Sequence, residues 1–276
     1  MSGFFVVLLV IGYALASAYG NPNILYGFIG GSIVMNIVSY FFSDKIALAQ
    51  SGAQPADMSQ YRELHTIIEN LAITAGLPKP AVYVISDPAP NAFATGRGPK
   101  NSAIAVTTGL LGMMDRSELE GVLAHELSHI GNRDILIGTV AVVLVGIISM
   151  VADVFMRGML WGGRDDRENN SPFTLIIGIV LAILMPIIAS IIQLAISRKR
   201  EFLADASGAI LTRYPEGLAS ALQKISSYKQ PLRNASTATA HLYISNPFGN
   251  IAKGFANLFS THPPTEKRIA ALLGRK

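Results

Sequence analysis

The sequence predicts a polytopic helical membrane protein that carries, outside the bilayer, a domain of the α+β class. Three observations lead there. Half of the 276 residues are apolar and only 14% are charged, with a mean hydropathy of +0.41, a membrane-protein profile. Four apolar runs approach the roughly 20 residues that a helix needs to cross a bilayer. Two polar segments separate and follow them, and the first reads as helix, short strands, then helix.

Phe4 to Tyr19 and Ile24 to Phe42 are uncharged runs separated only by Gly20 and the turn residues Asn21-Pro22-Asn23, so residues 1–42 read as a transmembrane hairpin. A competing reading makes the first run a leader cleaved near Ala16-Ser17-Ala18; the lack of Lys or Arg before Phe4 and the immediate second run argue against it. Residues 43–134 turn polar. Gln54 to Asp57 reads as a loop. Tyr61 to Ala75 carries Leu64, Ile67, Ile68 and Leu71 at helical spacing and stops at Gly76. Ala81 to Ser86 reads as a strand, Asn91 to Gly96 as a short extended stretch, and Ser102 to Thr107 as a further strand, with a turn from Gly96 to Asn101.

Two more apolar runs follow, 135–154 and 173–196, making 135–197 a second hairpin, and 198–276 completes the polar part. The loop between them holds Arg157, Arg164 and Arg167, partly offset by Asp165, Asp166 and Glu168. The other Lys and Arg lie in 43–134 and from Arg198 onward. The positive-inside rule then places both termini and both polar segments on the cytoplasmic side of the cell membrane, as halves of one domain.

The most informative stretch is Val122-Leu123-Ala124-His125-Glu126-Leu127-Ser128-His129-Ile130. On a helix, His125 and His129 project from one face a turn apart and can reach a single ion. Glu126 can then lean over an open coordination position, the H-E-x-x-H arrangement of two Zn²⁺ ligands and a general base. Ser117 reads as the N-cap of that helix, with Glu120 three residues on. A continuous helix into the third run would put His129 only ~9 Å from Ile135. With no cysteine, there is neither a disulfide framework nor a thiolate site, so a third ligand must be His or carboxylate. Arg200-Glu201-Phe202-Leu203-Ala204-Asp205 supplies two candidates, Glu201 and Asp205, on one helix face. One can bind the metal while the other accepts the free N–H of a ligand His.

These stretches, with Asn91-Ala92-Phe93 upstream and Thr261-His262-Pro263-Pro264 before a final helix, together resemble the HtpX family. Its members are membrane-bound zinc metalloproteases of bacteria and archaea, similar to the CAAX prenyl endopeptidases. The resemblance covers essentially the whole chain. It implies four spans with a gluzincin-like cytoplasmic protease domain, His125, His129 and Glu201 as zinc ligands, and Glu126 as catalytic base. Asp205 matches a supporting carboxylate, and Asn91, Ala92 and Phe93 match a substrate-binding edge strand. His262 resembles a residue that helps to polarise the scissile carbonyl. The implied substrates are polypeptides, namely misfolded or damaged membrane proteins.

Asp134 fits either a support for a ligand His or a charge at the membrane boundary, and Arg268 reads as a surface charge. His65 and His241 read as structural or solvated. The net charge of +4 is modest and not gathered with aromatics, which argues against nucleic acid as a partner. A zinc-stabilised scaffold without catalysis is the alternative, but it has no use for Glu126. A zinc-sensing transporter lacks charges within its spans to form an ion path.

Overall fold

A computed structural model describes residues 20–139, 198–234, 239–248 and 263–274, with isolated positions among 9–17. The predicted fourth span, the third beyond residue 139, most of the first, and His262 lie outside the described residues. The chain forms two compact units, Met1–Phe42 with Val143–Ile191, and Ser43–Val142 with Ile192–Lys276.

Helix α1 (Asn23–Gln50) starts after a turn in which the Asn21 side chain accepts the Asn23 N–H. Through residue 42 it exposes a succession of large apolar groups, among them Tyr26, Ile33, Val34, Ile37, Val38 and Phe41. Among the described residues, no helix is long and apolar enough to cross a membrane.

The second unit is α+β. Four strands, β1 (Gln54–Pro55), β2 (Ala81–Ile85), β3 (Ala92–Gly98) and β4 (Asn101–Thr107), form a sheet in the order β1-β2-β4-β3. β2 and β4 are parallel, and the outer pairs are antiparallel. The predicted loop at Gln54 to Asp57 thus contains a two-residue strand, because Gln54 and Pro55 pair with Val84 and Tyr83. Side chains alternate across the sheet as the strand period requires. Val82, Val84, Ile104 and Val106 join the larger core cluster, while Phe93, Ala103 and Ala105 join a smaller one with Tyr243 and Leu232.

Helix α2 (Arg62–Ala75) buries Leu64, Ile67, Ile68 and Leu71, and ends on Gly76 in the left-handed conformation, as its sequence predicts. After the short α3 (Thr108–Met113) comes α4 (Arg116–Gly131), which carries the two histidines. It packs against α2, β3, α5 (Arg198–Thr212) and α6 (Pro215–Ser227). A 3-10 turn (Ala240–Leu242) and α7 (Thr265–Leu272) complete the described elements.

Two sequence expectations about α4 change. Its N-cap is Asp115, not Ser117: Asp115 accepts the Glu118 N–H at 2.9 Å, the Glu118 side chain reaches back to the Asp115 N–H, and the Ser117 hydroxyl merely donates to Asp115. Nor does α4 run on into the third apolar run. The chain leaves the helix after Gly131, turns at Arg133 with φ of 61°, and resumes helical conformation at 135–139. That break swings Asp134 back beneath His129.

Glu118 also ties α4 to α6. Its buried carboxylate accepts from Ser220 and from Lys224, both at 2.6 Å. Burial pushes its pKa up, but Lys224, Ser220 and the Asp115 N–H outweigh it and hold the carboxyl below its ordinary value. Its contribution is therefore present at neutral pH and lost as pH falls below the usual glutamate range. Glu118→Ala should cost about 2–4 kcal/mol, from the lost cap and the unpaired buried groups. Comparing denaturation midpoints at pH 7 and pH 4 checks this, the mutational difference being smaller at pH 4.

Candidate metal centre

His125 and His129, four residues apart on α4, turn their Nε2 atoms toward each other at 3.1 Å. From α5, Glu201 closes the triangle, with Oε1 at 3.4 Å from His129 Nε2 and Oε2 at 3.9 Å from His125 Nε2. One ligand atom from each of the three residues lies within 4.8 Å of the others. What brings α5 so near is Gly208, seven residues after Glu201. A Cβ there would sit 3.0 Å from the His125 backbone nitrogen, so the two helices meet almost backbone to backbone.

Each imidazole is oriented through its other nitrogen. His125 Nδ1 donates to Asp205 at 2.9 Å, and His129 Nδ1 donates to Asp134 at 3.1 Å. With both Nδ1 protons so held, both Nε2 atoms are turned to one point. Their 3.1 Å approach lets the two rings share the His129 Nε2 proton, and it is where a divalent ion held by both would displace that proton. The electrostatics agree. Burial lowers the His125 pKa to about 4 in spite of Asp205, while Asp134 and Glu201 raise that of His129 to about 10 against its own burial. The protein thus concentrates negative charge at His129, the sign that favours a cation. Two imidazoles, a carboxylate and no thiolate make a donor set that fits a divalent metal, whose binding would release the His129 proton.

Behind this triangle lies Arg268 of α7, only 2% exposed. It grips Asp205 with two charge-assisted hydrogen bonds of 2.8 and 2.7 Å, donates to the Ile244 carbonyl, and reaches within 3.6 Å of Glu201. Its Nη2 is 3.5 Å from both ring nitrogens of His125, which places it over the ring face. Burial pushes Asp205 up, but Arg268 and His125 overcome it and hold the carboxyl at about 2, fully ionised.

Glu126 is buried beside the triangle, 2% exposed, and accepts a hydrogen bond from the Ala94 N–H of β3. Burial pushes its carboxyl up to about 7, with Glu201 adding to the shift against the pull of His129. Glu126, the histidines and Glu201 line a narrow cleft whose walls include Ala94, Arg200, His241 and Ile244. A carboxylate poised next to a divalent metal, in a cleft beside the edge of a sheet, can take a proton from water attacking an extended polypeptide.

The family model for peptidase family M48 matches residues 58–276. The chain belongs to peptidase family M48. Among its relatives, a protease HtpX homolog of Caldanaerobacter subterraneus subsp. tengcongensis is 54% identical over 245 residues, 87% of this chain and 81% of that protein. One from Pyrococcus abyssi is 50% identical over 277 residues, 99% and 92% of the two chains. A solved structure, Ste24p of S. mikatae, is 18% identical with a TM-score of 0.51, and so shares the fold; the match covers 99% of this chain but only 63% of that one. The protein is therefore a membrane-associated metalloprotease of the HtpX kind, with a metal cofactor and polypeptide substrates.

In this M48 peptidase the fold brings His125, Glu126, His129, Glu201 and Asp205 together. His262 is outside the described residues. Asn91, Ala92 and Phe93 lead into β3, an edge strand of the sheet, with their side chains buried. Asn91 is 3% exposed and clamps Ser245, donating from Nδ2 to its carbonyl at 3.0 Å and accepting its N–H at 3.4 Å. Ala92 is wholly buried and gives its carbonyl to the Ile244 N–H, and Phe93 stacks edge-on against Tyr243. Of β3, it is Ala94 that lines the cleft.

Sequence reasoning left Arg268 and His241 without roles at the site, and Asp134 with two alternatives. Arg268 is no surface charge, being 2% exposed, and the local signal is that it shares a helical face with Leu272, four residues on. Asp134 supports His129 because of the break after Gly131, which periodicity does not reveal. His241 lines the cleft from the 3-10 turn, its Nε2 donating to the Gly138 carbonyl at 2.9 Å.

Glu201 and Asp205 should separate experimentally. Glu201→Ala should strip most of the metal, since a two-histidine site holds it weakly. Asp205→Ala should lower metal affinity by roughly 10–100-fold. Metal content of the purified variants after dialysis against a graded chelator decides the matter; the reverse order would exchange the two roles.

Proposed function

We propose that the protein is a zinc-dependent endopeptidase, held in the cell membrane by four spans, that cleaves cytosolic parts of misfolded or damaged membrane proteins. The observation that carries the reading is the buried His125–His129–Glu201 triangle with Glu126 beside it, in the unit from which the chain passes into the third predicted span. The exposed apolar surface of α1 through Phe42 supports the membrane part, since monomeric soluble proteins rarely leave so much continuous apolar area in water.

His125, His129 and Glu201 would hold the zinc, which when bound polarises a carbonyl and makes water acidic enough to attack at neutral pH. Glu126 receives the proton from the attacking water and passes it to the leaving amine. Asp205 and Asp134 keep the two imidazoles in the tautomer that exposes Nε2. The backbone of β3 aligns an extended substrate with little demand on its side chains, which supports broad specificity of the kind that quality control needs. His262 is assigned, on resemblance alone, to polarising the scissile carbonyl, and Asn91, Ala92 and Phe93 to shaping the substrate edge from within.

With four such spans, catalysis would lie at the cytoplasmic face, close to the headgroups. Moving one cleavable sequence along a model membrane substrate, from its transmembrane centre into its cytosolic tail, tests this. Cleavage should peak in the tail near the membrane and cease with a chelator. Preferred cutting at the bilayer centre or on the opposite side would overturn the topology.

A further inference from the structure

We infer that the apolar part of the cleft lining is a side-chain subsite, which favours an aliphatic substrate residue next to the scissile bond. The inference rests on the endopeptidase reading above and names what that site selects.

The residues that line the cleft divide by chemistry. The polar ones are the metal triangle, Glu126, and the Asp134–Arg200 ion pair. His241 apart, the others are Ala94, Ile135, Gly138, Leu242 and Ile244, all within one compact unit. They come from β3, from the helical residues at 135–139, and from the 3-10 turn with the residues just after it.

These segments are tied to one another at the cleft. His241 Nε2 donates to the Gly138 carbonyl at 2.9 Å, and the next residue, Thr139, accepts the Gly96 N–H of β3 at 3.1 Å. The Ile244 N–H donates to the Ala92 carbonyl, also in β3, at 2.9 Å. Ala94, Ile135 and Ile244 are each buried, whereas Leu242 is half-buried. Gly138 sets how closely the parts meet. A Cβ there would lie 3.1 Å from Leu242 Cδ2 and 3.9 Å from the His241 ring, so a larger residue must displace the Leu242 tip.

The chemistry of this lining decides its occupant. A charged substrate side chain would give up its water against Ile135, Leu242 and Ile244, whereas an aliphatic one gains by the burial. The neighbouring charges already have partners: Asp134 is engaged by Arg200 and His129. Such a preference also suits the proposed substrates. Aliphatic side chains are mostly buried in folded proteins, so one that reaches a cleft in water belongs to a chain that has lost its packing.

The test uses the full-length, zinc-loaded protein in detergent and soluble peptides that differ only at the positions flanking the cleaved bond. On one side of that bond, leucine should exceed glycine in kcat/KM by roughly 10–100-fold, and aspartate by more. Leu242→Ala removes part of the lining and should move the preference from leucine toward phenylalanine by about tenfold. Gly138→Ala, which displaces Leu242, should change the ratio of leucine to alanine by a similar factor. Metal content equal to that of the wild type shows that each variant is folded; should Gly138→Ala lose its metal, Leu242→Ala decides alone. Cleavage in which leucine, glycine and aspartate differ by less than about threefold overturns the subsite and leaves the endopeptidase standing. A leucine preference that Leu242→Ala leaves unaltered overturns its assignment to this lining. Failure of the wild type to cut any peptide in a chelator-sensitive way overturns the endopeptidase reading, and the subsite with it.

Discussion

Glu126→Gln should leave metal content unchanged and lower peptide-bond cleavage by roughly 10²–10⁴-fold, the range expected for loss of a general base. The substitution keeps the size of the side chain and its carbonyl acceptor for the Ala94 N–H. It touches none of the atoms of the His125–His129–Glu201 triangle. Only the capacity to accept and return a proton is lost. Metal analysis and single-turnover cleavage on one purified sample make the test. Cleavage at the wild-type rate would remove Glu126 from the mechanism, and loss of metal would mean that its carboxylate helps to build the site.

Arg268→Ala should be the most damaging single change to the structure of the site. The guanidinium is surrounded by Asp205, Glu201 and the face of His125. Its removal leaves two buried carboxylates without their cation, a defect of about 3–5 kcal/mol. For a unit of this size that is a fall in melting temperature of at least ~6 °C. Metal affinity should fall too, because Asp205 loses the partner that fixes it against His125 Nδ1. Arg268→Lys should recover part of the stability but little of the alignment, since a single ammonium cannot reproduce the paired hydrogen bonds. A variant that melts with the wild type and binds metal as tightly would show that Asp205 is held by His125 alone.

The break between α4 and residue 135 and the burial of Arg268 have a common cause. Each depends on a partner distant in sequence, or on a backbone turn that no periodicity encodes. Asp134 is useful because Arg133 takes a left-handed φ and folds it back under His129. Arg268 is useful because α7 lands against α5, 63 residues earlier at Asp205. Asn91 follows the same logic: its side chain is committed to Ser245, 154 residues away.

By contrast, the sequence by itself determined what local rules govern. The i, i+4 spacing of His125 and His129 puts two imidazoles on one helix face whatever surrounds them, and the spacing of Glu201 and Asp205 does the same on α5. Leu64, Ile67, Ile68 and Leu71, closed by Gly76, specify α2. The absence of cysteine limits the metal ligands to His and carboxylate. Only the tertiary structure shows which carboxylate joins the two Nε2 atoms and which faces an Nδ1. That choice rests on the approach of α5 to the His125 backbone at Gly208, together with the grip of Arg268 on Asp205. The distance between two helices is a property of what packs between them, and no pattern within either helix contains it.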